Sequence, residues 1–274
     1  MKISNKMKHE CYIPPPITNQ FDKGNQALRK ADQDRVIIIT GPEGSGKSLL
    51  AMQFASYVDK NFSLKDVCFD GDEFADRVRN KEKYGAVIFD EAFNGLSSRG
   101  AISNQNKKLI RLLQECRQRN LWVFIVLPSV FLLEKYVALF RSQALFNTAI
   151  YRKDYTKRYY KCYNRGNKKQ LYLLGAKLMS YSQPKLHKKY RFYGKYPSCI
   201  DEQEYREKKA ESFRDSKKRD TKEDKWMIQR NVVITKAHEI YKIPYKEIGE
   251  WFKTYGCHME HTQFGRLAPK IPQN

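Results

Sequence analysis

The chain has 274 residues, 52 of them Lys or Arg and 30 Asp or Glu, and its formal net charge of +22 far exceeds what solubility requires. No apolar run approaches the ~20 residues of a membrane-spanning helix, so the composition argues against a membrane protein and favours nucleic acid as a polyanionic partner. Six cysteines without a CxxC pair argue against a disulfide scaffold or a structural zinc site and favour a reducing, cytoplasmic setting.

Residues 1–31 are predicted to form an N-terminal extension of the folded core. Three consecutive prolines, Pro14 to Pro16, argue against a helix and favour an extended conformer. We expect one of two arrangements for this segment. It either lies along the domain surface, where it could contact a neighbouring subunit, or forms a poorly ordered tail.

An eight-residue motif, GPEGSGKS from Gly41 to Ser48, matches the pattern G-x-x-x-x-G-K-[ST]. An apolar β-branched run leads into it and a run with helical spacing leads out, which predicts a strand, a phosphate-binding loop and a helix. The alternative is a chance match in a Gly-rich turn. Lys47 is expected to reach the β- and γ-phosphates of ATP, and Ser48 to hold Mg2+. The predicted phosphate-binding residues are Gly41, Pro42, Glu43, Gly44, Ser45, Gly46, Lys47 and Ser48.

Strands and helices alternate in the following stretch of the chain. Apolar runs predict strands at 64–71, 86–89 and 121–127, whereas the polar residues 94–105 predict a loop. The amphipathic helix expected between that loop and the last strand has an apolar stripe of Leu109, Ile110, Leu112, Leu113 and Cys116. This alternation indicates an α/β fold with right-handed crossovers and a mainly parallel sheet, whose ligands bind at the carboxyl ends of the strands.

Two adjacent carboxylates, Asp90 and Glu91, follow the predicted strand at 86–89. Side chains alternate along a strand, so Asp90 could meet the magnesium shell while Glu91 addresses an attacking water as the catalytic base. The alternative is that the tandem acids serve only as a helix N-cap.

The motif at 41–48 resembles the Walker A motif of P-loop NTPases, and the strand ending in Asp90 and Glu91 resembles Walker B in the branch of RecA-like and AAA+ motors. Residues 32–150, with RQRNLWVFIVLPSVFLLEKYVALFRSQALF, resemble the ATPases related to FtsK, HerA and the zonula occludens toxin domain of phages. The resemblance implies Mg2+-dependent ATP hydrolysis, a strand between the two Walker strands, a homo-oligomer such as a hexameric ring, and DNA translocation or packaging in a viral, phage or plasmid setting.

Two further site residues follow from this resemblance. Those ATPases typically end the strand at 121–127 with a glutamine that senses the γ-phosphate, whereas here Pro128 and Ser129 follow, so Ser129 is assigned that role. The motors also complete the site with an arginine from an adjacent subunit. Arg141 is our first choice because it lies in an otherwise apolar run. The other candidates are Arg99, Arg117 and Arg119, and the alternative for each is a structural ion pair with an acid such as Glu134 or Glu115.

Residues 151–200 form a basic, tyrosine-rich region with fourteen Lys or Arg, ten Tyr and one acid, Asp154. Strand-like runs at 158–163 and 170–174, separated by NRGNKK, predict a β-hairpin. Cations for phosphates and ring faces for bases favour contact with nucleic acid. The alternative is a solvated edge hairpin. The predicted nucleic-acid-binding residues here are Lys157, Arg158, Lys161, Lys168 and Lys169.

The remainder of the chain is predicted to be helical. Residues 201–225 mix both charge signs and indicate a solvated helical connector. Residues 226–274 predict a longer helix, a second helix with Ile248, Trp251 and Phe252 on one face, and a short third segment. This pattern resembles a helix-turn-helix in which Arg266 contacts DNA. The alternative is a three-helix module for subunit contacts.

The sequence therefore predicts a DNA-acting P-loop ATPase of the translocation or packaging type. Two other classes remain open. A nucleotide-gated DNA-binding switch would turn ATP over slowly, and a P-loop kinase would need a lid and an acceptor pocket that the sequence does not indicate.

Overall fold

The computed structural model describes residues 11–90, 99–192 and 195–254. For the helical residues 99–105, 213, 215–228 and 231, the structure describes the backbone but not the side chains. The chain divides into two compact units, Met1–Lys209 and Ala210–Asn274. Glu91 and Arg266, and the third helical segment that contains Arg266, lie outside the described residues.

The first unit is built on one seven-stranded sheet. Its strands are β1 (Arg35–Thr40), β2 (Val67–Cys68), β3 (Ala86–Phe89), β4 (Trp122–Leu127), β5 (Ala144–Tyr151), β6 (Asp154–Tyr163) and β7 (Tyr190–Phe192). The strand order is β2-β3-β4-β1-β5-β6-β7. The pairs from β2 to β5 are parallel, and β6 and β7 are added antiparallel. The predicted α/β fold with a mainly parallel sheet is confirmed, and β4 separates β1 from β3 as the resemblance implied.

Seven α-helices accompany these strands in the described residues. They are α1 (Pro15–Lys30), α2 (Lys47–Val58), α3 (Gly71–Asn80), α4 (Arg99–Gln118), α5 (Arg165–Gly175), α6 (Glu202–Tyr241) and α7 (Tyr245–Thr254). A π-helical turn, Val137–Arg141, precedes β5. None of the described helices combines the length and the apolar character needed to cross a bilayer.

The sheet has an apolar layer on each face because side chains alternate along its strands. On β1, Ile38 belongs to the layer that also holds α3, α4 and α5, whereas Ile37 and Ile39 belong to the layer of α1 and α2. Every residue of β4 is buried, as expected for a central strand covered on both faces. The predicted stripe of α4 is confirmed, since Leu109, Leu112, Leu113 and Cys116 are buried with Ile110 packed beside them.

The proline run begins a helix, so the prediction of an extended segment was wrong. Pro14 is the N-cap of α1, and the next two prolines occupy the first helical positions. Proline is tolerated there because its fixed φ suits a helix and its missing N–H would be unpaired anyway. The buried face of α1 includes Phe21 and Leu28, which pack in the layer of α2. The N-terminal residues from Pro15 onward therefore form part of the core.

The hairpin predicted from 158–163 and 170–174 is wrong, because 165–175 is the helix α5. The run 158–163 lies in β6, which instead forms a hairpin with the preceding strand, β5, paired antiparallel from Leu145–Tyr163 to Tyr151–Asp154. Asn164 explains the difference, because its side chain accepts a hydrogen bond of 2.9 Å from the N–H of Asn167 and caps α5. The motif NRGNKK thus starts a helix. The sheet also continues across the boundary drawn at residue 150.

Two further elements differ from the sequence prediction. The helix α4 begins at Arg99, so residues 99–105 of the predicted loop are helical. The second strand is only Val67–Cys68, because a 3-10 turn occupies Leu64–Asp66. That turn is fixed by Ser63, whose N–H and hydroxyl both donate to the Asp66 carboxylate.

The second unit contains most of α6, together with α7. Ile234 and Ile248 are buried against each other, with Ala237, Ile243, Tyr245 and Phe252 packed around them. The predicted apolar face of α7 is correct for Ile248 and Phe252, but Trp251 is 46 % exposed. The two predicted helices are present, and the predicted helix-turn-helix stays a prediction because its third segment lies outside the described residues.

Candidate nucleotide-binding site

The phosphate loop joins the carboxyl end of β1 to the start of α2. Gly41 and Gly46 both have positive φ, at 147° and 85°, where a β-carbon is strained. A β-carbon would also lie 2.3 Å from Thr148 Oγ1 at Gly41, and 2.9 Å from the Phe192 ring at Gly46. The loop therefore requires glycine for its backbone conformation and because β5 and β7 approach so closely.

Ser45 fixes the loop from within. Its buried hydroxyl lies 2.6 Å from the carbonyl of Pro42 and 2.7 Å from the hydroxyl of Thr148. Thr148 in turn donates to the carbonyl of Thr40. The N–H of Gly41 donates to Pro128 O at 3.3 Å. This network places the loop between the ends of β4 and β5 and gives Ser45 a structural role.

The two polar residues that begin α2 face the expected nucleotide position. The ammonium of Lys47 donates to the carbonyl of Pro42 at 2.9 Å, so it lies across the loop. The hydroxyl of Ser48 donates to Oδ1 of Asp90 at 3.0 Å. Asp90 follows β3 and is fully buried. The structure thus brings together Lys47, Ser48 and Asp90, which the sequence singled out from two separate motifs.

Tyr205 is a site residue that the sequence analysis missed. It lies in the first turns of α6, and its buried hydroxyl donates to Oδ2 of Asp90 at 2.8 Å. Burial and the neighbouring charge of Asp90 raise the pKa of Tyr205. Its ring packs beside Phe69 and Tyr196. The available signal was a lone aromatic in the charged run DEQEYREKK.

Ser129 lies beside the start of the phosphate loop. Its hydroxyl accepts a long, 3.4 Å hydrogen bond from the N–H of Phe131 and caps the 3-10 turn Val130–Leu132. Tyr181, from the basic region, reaches the same place and accepts a hydrogen bond of 2.8 Å from Val130 N. Burial raises the pKa of Tyr181, and hydrogen bonds with Thr40 and Ser129 oppose that rise. Tyr181 is a second residue that sequence reasoning missed.

Arg141 forms a structural ion pair with Asp34, which was the alternative to an arginine finger in the sequence analysis. Both terminal nitrogens of its guanidinium donate to the Asp34 carboxylate, one of them at 2.8 Å, and one also donates to Leu113 O at 2.6 Å. Asp34 precedes β1, so this pair lies at the end of the strand opposite the phosphate loop. The side chains of Arg141 and Asp34 are 12 % and 6 % exposed, and breaking a pair that is buried to this extent leaves an uncompensated charge. The expectation of an arginine finger at Arg141 is corrected accordingly.

Lys168 also differs from expectation, since it is completely buried. Its ammonium donates to the carbonyl and the hydroxyl of Ser142. Burial, with the neighbouring charge of Arg165, lowers the pKa of Lys168 to about 7. This side chain joins α5 to the turn before β5 and cannot present a cation to nucleic acid.

The other predicted nucleic-acid residues separate into two groups. Lys157 is exposed and pairs with Asp154 at 2.5 Å, Lys161 is partly exposed on β6, and Lys169 is exposed on α5. Arg158 instead reaches the phosphate loop, where its Nε donates to Gly44 O at 3.1 Å. The sequence placed all four together because charge alone does not show which face of β6 a residue occupies.

The outer part of the sheet carries aromatic and basic side chains side by side. The rings of Tyr151 and Tyr159 are 4.6 Å apart, and the ammonium of Lys189 lies 5.0 Å from the centre of the Tyr159 ring. Lys188 approaches Tyr190 in the same way, at 5.1 Å. Such pairs are chemically suited to phosphates and bases.

The parallel sheet, the phosphate loop between β1 and α2, and the hydroxyl–carboxylate pair beside that loop define a P-loop NTPase. Residues 19–174, more than half of the chain, match the family described as Novel STAND NTPase 3. The chain belongs to this family. The match starts within α1 and ends within α5, so it includes parts of the two segments, 1–31 and 151–200, that the sequence analysis placed outside the core.

Among solved structures, the N-terminal domain of zonular occludens toxin from Neisseria meningitidis is similar to 48 % of this chain and is itself covered over 84 % of its length. The two sequences are 16 % identical, and the TM-score is 0.29. A search of curated proteins finds no match. The assignment to the P-loop NTPases rests on the strand order, the site geometry and the family match.

Proposed function

We propose that this protein hydrolyses ATP with the help of Mg2+. The observation that carries the proposal is the 3.0 Å contact between Ser48 and Asp90 next to Lys47. A hydroxyl and a carboxylate are oxygen ligands suited to Mg2+. When bound, the ion would neutralise charge that develops on the β- and γ-phosphates. Lys47 and the amides at the start of α2 would bind the phosphates.

Glu91 is the proposed catalytic base. It follows Asp90 directly in the sequence, and a carboxylate in this position would orient or deprotonate the attacking water. Ser129, at the end of β4, is proposed to contact the γ-phosphate. An arginine from a neighbouring copy would complete the site, in a homo-oligomer such as a hexameric ring.

We further propose that hydrolysis is coupled to DNA, as in a cytoplasmic translocation or packaging motor of viral, phage or plasmid type related to the RecA, FtsK and HerA branch. The support is the net charge of +22 and the exposed cations among aromatic side chains on β6 and α5. Lys157, Lys161 and Lys169 would contact phosphates there, and Arg266 would do so in the second unit. Contacts of this kind give affinity with little dependence on sequence.

The test is the steady-state ATPase rate with and without DNA, at low and at moderate salt. Wild type should be stimulated by DNA, Lys47→Ala should lose ATP binding, and Glu91→Gln should bind ATP without turnover. A Glu91→Gln variant as active as wild type would remove the catalytic assignment. An ATPase rate that does not change with DNA would mean that the basic surface and the nucleotide site are not coupled.

A second candidate is a nucleotide-gated DNA-binding switch with slow turnover. The observation that favours it is the hydrogen bond from Tyr205 to Asp90, which places a residue of α6 directly on the proposed magnesium ligand. Protection of one operator-like sequence in a footprint, changing with nucleotide, would favour the switch. Uniform protection along DNA would favour the motor.

A further inference from the structure

Arg158 lies on the opposite face of β6 from its basic neighbours. Side chains alternate along the strand, and Arg158 shares its face with Tyr160. Tyr160 is buried against Phe54 of α2 and Phe146 of β5. This is the face on which the phosphate loop enters α2. Lys157 points to the other face and pairs with Asp154.

The side chain of Arg158 crosses the phosphate loop. Its Nε donates to the carbonyl of Gly44 at 3.1 Å. Its Cδ would lie 3.3 Å from a β-carbon at Gly46. The aliphatic part therefore lies along the loop between these two glycines, and the guanidinium ends within the segment whose amides would bind phosphates.

The positive charge of Arg158 is not neutralised by any carboxylate in the described part of the chain. Besides Gly44, its contact is with the carbonyl of Thr156 at 3.5 Å, the limit of a hydrogen bond. Arg158 as a whole is partly exposed, and the planar set of donors on a guanidinium matches a carboxylate or a phosphate. An anion that binds at the loop would supply such a partner.

We propose that Arg158 is a nucleotide-binding residue, whose guanidinium contacts the phosphates of a nucleoside triphosphate bound in the same subunit. It would add to Lys47 a second cation, one that approaches from β6. This inference rests on the proposed nucleotide site and reassigns Arg158 from the nucleic-acid surface to that site. The strand β6 then contributes to nucleotide recognition, next to Phe192 of β7, which also lies close to Gly46.

The experiment measures the dissociation constant of a non-hydrolysable ATP analogue with Mg2+ by isothermal titration calorimetry. The variants are Arg158→Gln, Arg158→Lys, Lys157→Gln and Lys47→Ala. Glutamine can still donate to the carbonyl of Gly44 but carries no charge, so it isolates the electrostatic contribution. Lysine keeps the charge without the fork of donors. Lys157→Gln removes one charge from the neighbouring residue on the opposite face.

Arg158→Gln is expected to weaken binding roughly ten- to hundredfold, the range of a charge-assisted hydrogen bond. Arg158→Lys should recover part of this loss, and Lys157→Gln should bind as wild type does. If Arg158→Gln lowers the melting temperature of the nucleotide-free protein, the test rests on Arg158→Lys alone. A several-fold increase in its dissociation constant for the ATP analogue supports the proposal, and an unchanged dissociation constant overturns it.

Two outcomes separate this inference from the proposed function. Unchanged binding by Arg158→Gln together with lost binding by Lys47→Ala would overturn the role of Arg158 and leave the nucleotide site intact. Unchanged binding by both would remove the site itself, and the inference with it. A loss by Arg158→Gln confined to oligonucleotide binding, measured in parallel by fluorescence anisotropy, would return Arg158 to the nucleic-acid surface and overturn the proposal.

Discussion

The hydroxyl of Tyr205 donates a hydrogen bond of 2.8 Å to Oδ2 of Asp90, while the hydroxyl of Ser48 donates to Oδ1 at 3.0 Å. Asp90 is fully buried, and a carboxylate in such a position is costly unless its oxygens accept hydrogen bonds. The ammonium of Lys209 lies 4.0 Å from the same oxygen as Tyr205. The beginning of α6 therefore stabilises the acid at the end of β3.

Replacement of Tyr205 by phenylalanine should destabilise the first unit by about 1–3 kcal/mol, because one oxygen of a buried carboxylate loses its donor. Urea denaturation at pH 7 measures the change. Tyr155→Phe is the matched control, since Tyr155 is 78 % exposed. An equal urea midpoint for Tyr205→Phe and wild type would mean that water replaces the hydroxyl without loss.

Arg141→Met should destabilise the protein by about 3–5 kcal/mol, because Asp34 would be left as an unpaired buried charge. Arg111→Met, an exposed change on α4, should have little effect. Thermal melting and ATP binding below the melting temperature measure the two consequences. We expect no change in ATP affinity for the folded fraction. A stable Arg141→Met protein with lost turnover would restore the catalytic assignment instead.

Lys168 should make the stability of the protein increase with pH above neutrality. Its pKa is about 7 in the folded protein and about 10.4 in an unfolded chain. Between these values the unfolded state binds the proton that the folded state has released, so the free energy of unfolding rises with pH. The destabilising effect is largest below pH 7 and disappears toward pH 10.

The difference between wild type and Lys168→Met isolates this contribution. Urea denaturation at pH 7, 8 and 9 measures the free energy of unfolding of both proteins. That of wild type, relative to that of the variant, should increase by on the order of 1 kcal/mol per pH unit. Parallel pH profiles for the two proteins would show that Lys168 stays protonated in the folded state.

Gly24→Ala should destabilise α1 although alanine is the better helix former. The new β-carbon would lie 2.5 Å from the ring of Trp122, and that ring is also held by a 2.7 Å hydrogen bond to Asn25. The clash should outweigh the propensity gain of up to about 1 kcal/mol and leave a net loss of about 1–2 kcal/mol. Lys23→Ala, at the exposed neighbouring position, should be neutral or stabilising, and a stabilising Gly24→Ala would contradict the packing of α1 on β4.

Neutralising Lys157, Lys161 and Lys169 together should flatten the salt dependence of DNA binding, with the logarithmic slope falling by about 0.9 for each DNA phosphate that the variant no longer neutralises. Fluorescence anisotropy at several salt concentrations measures the slope. The matched control removes three exposed charges elsewhere, at Lys23, Lys30 and Lys60. If the two triple variants had equal effects, the three lysines would contribute to DNA binding only through the net charge of the protein.

The phosphate loop and Asp90 could be predicted because each belongs to a short, local pattern. Gly41 to Ser48 form one continuous motif, and Asp90 ends an uninterrupted apolar strand. Their 3.0 Å contact follows from topology, since the carboxyl ends of parallel strands meet at one edge of the sheet. Ser48 and Asp90 were therefore placed together without any knowledge of packing.

Other features depend on contacts between distant parts of the chain. Nothing in the sequence around Arg141 names Asp34 as its partner, 107 residues away. The burial of Lys168 and the position of Arg158 on the loop depend on which face of an element meets its neighbours, which charge counts do not encode. Tyr205 was overlooked for the same reason: a charged helix was interpreted as wholly solvated.

The helix α6 runs unbroken from Glu202 to Tyr241, and the boundary between the two compact units falls inside it, after Lys209. Its first turns belong to the sheet domain, where Lys208 pairs with Glu73 at 2.5 Å and Tyr205 reaches Asp90. A chain shortened at Ile200, where the composition changes, would uncover that carboxylate, whereas one shortened after Lys209 would keep it covered. The two units are thus best separated by truncation within a helix, at a position that limited proteolysis of linkers would not identify.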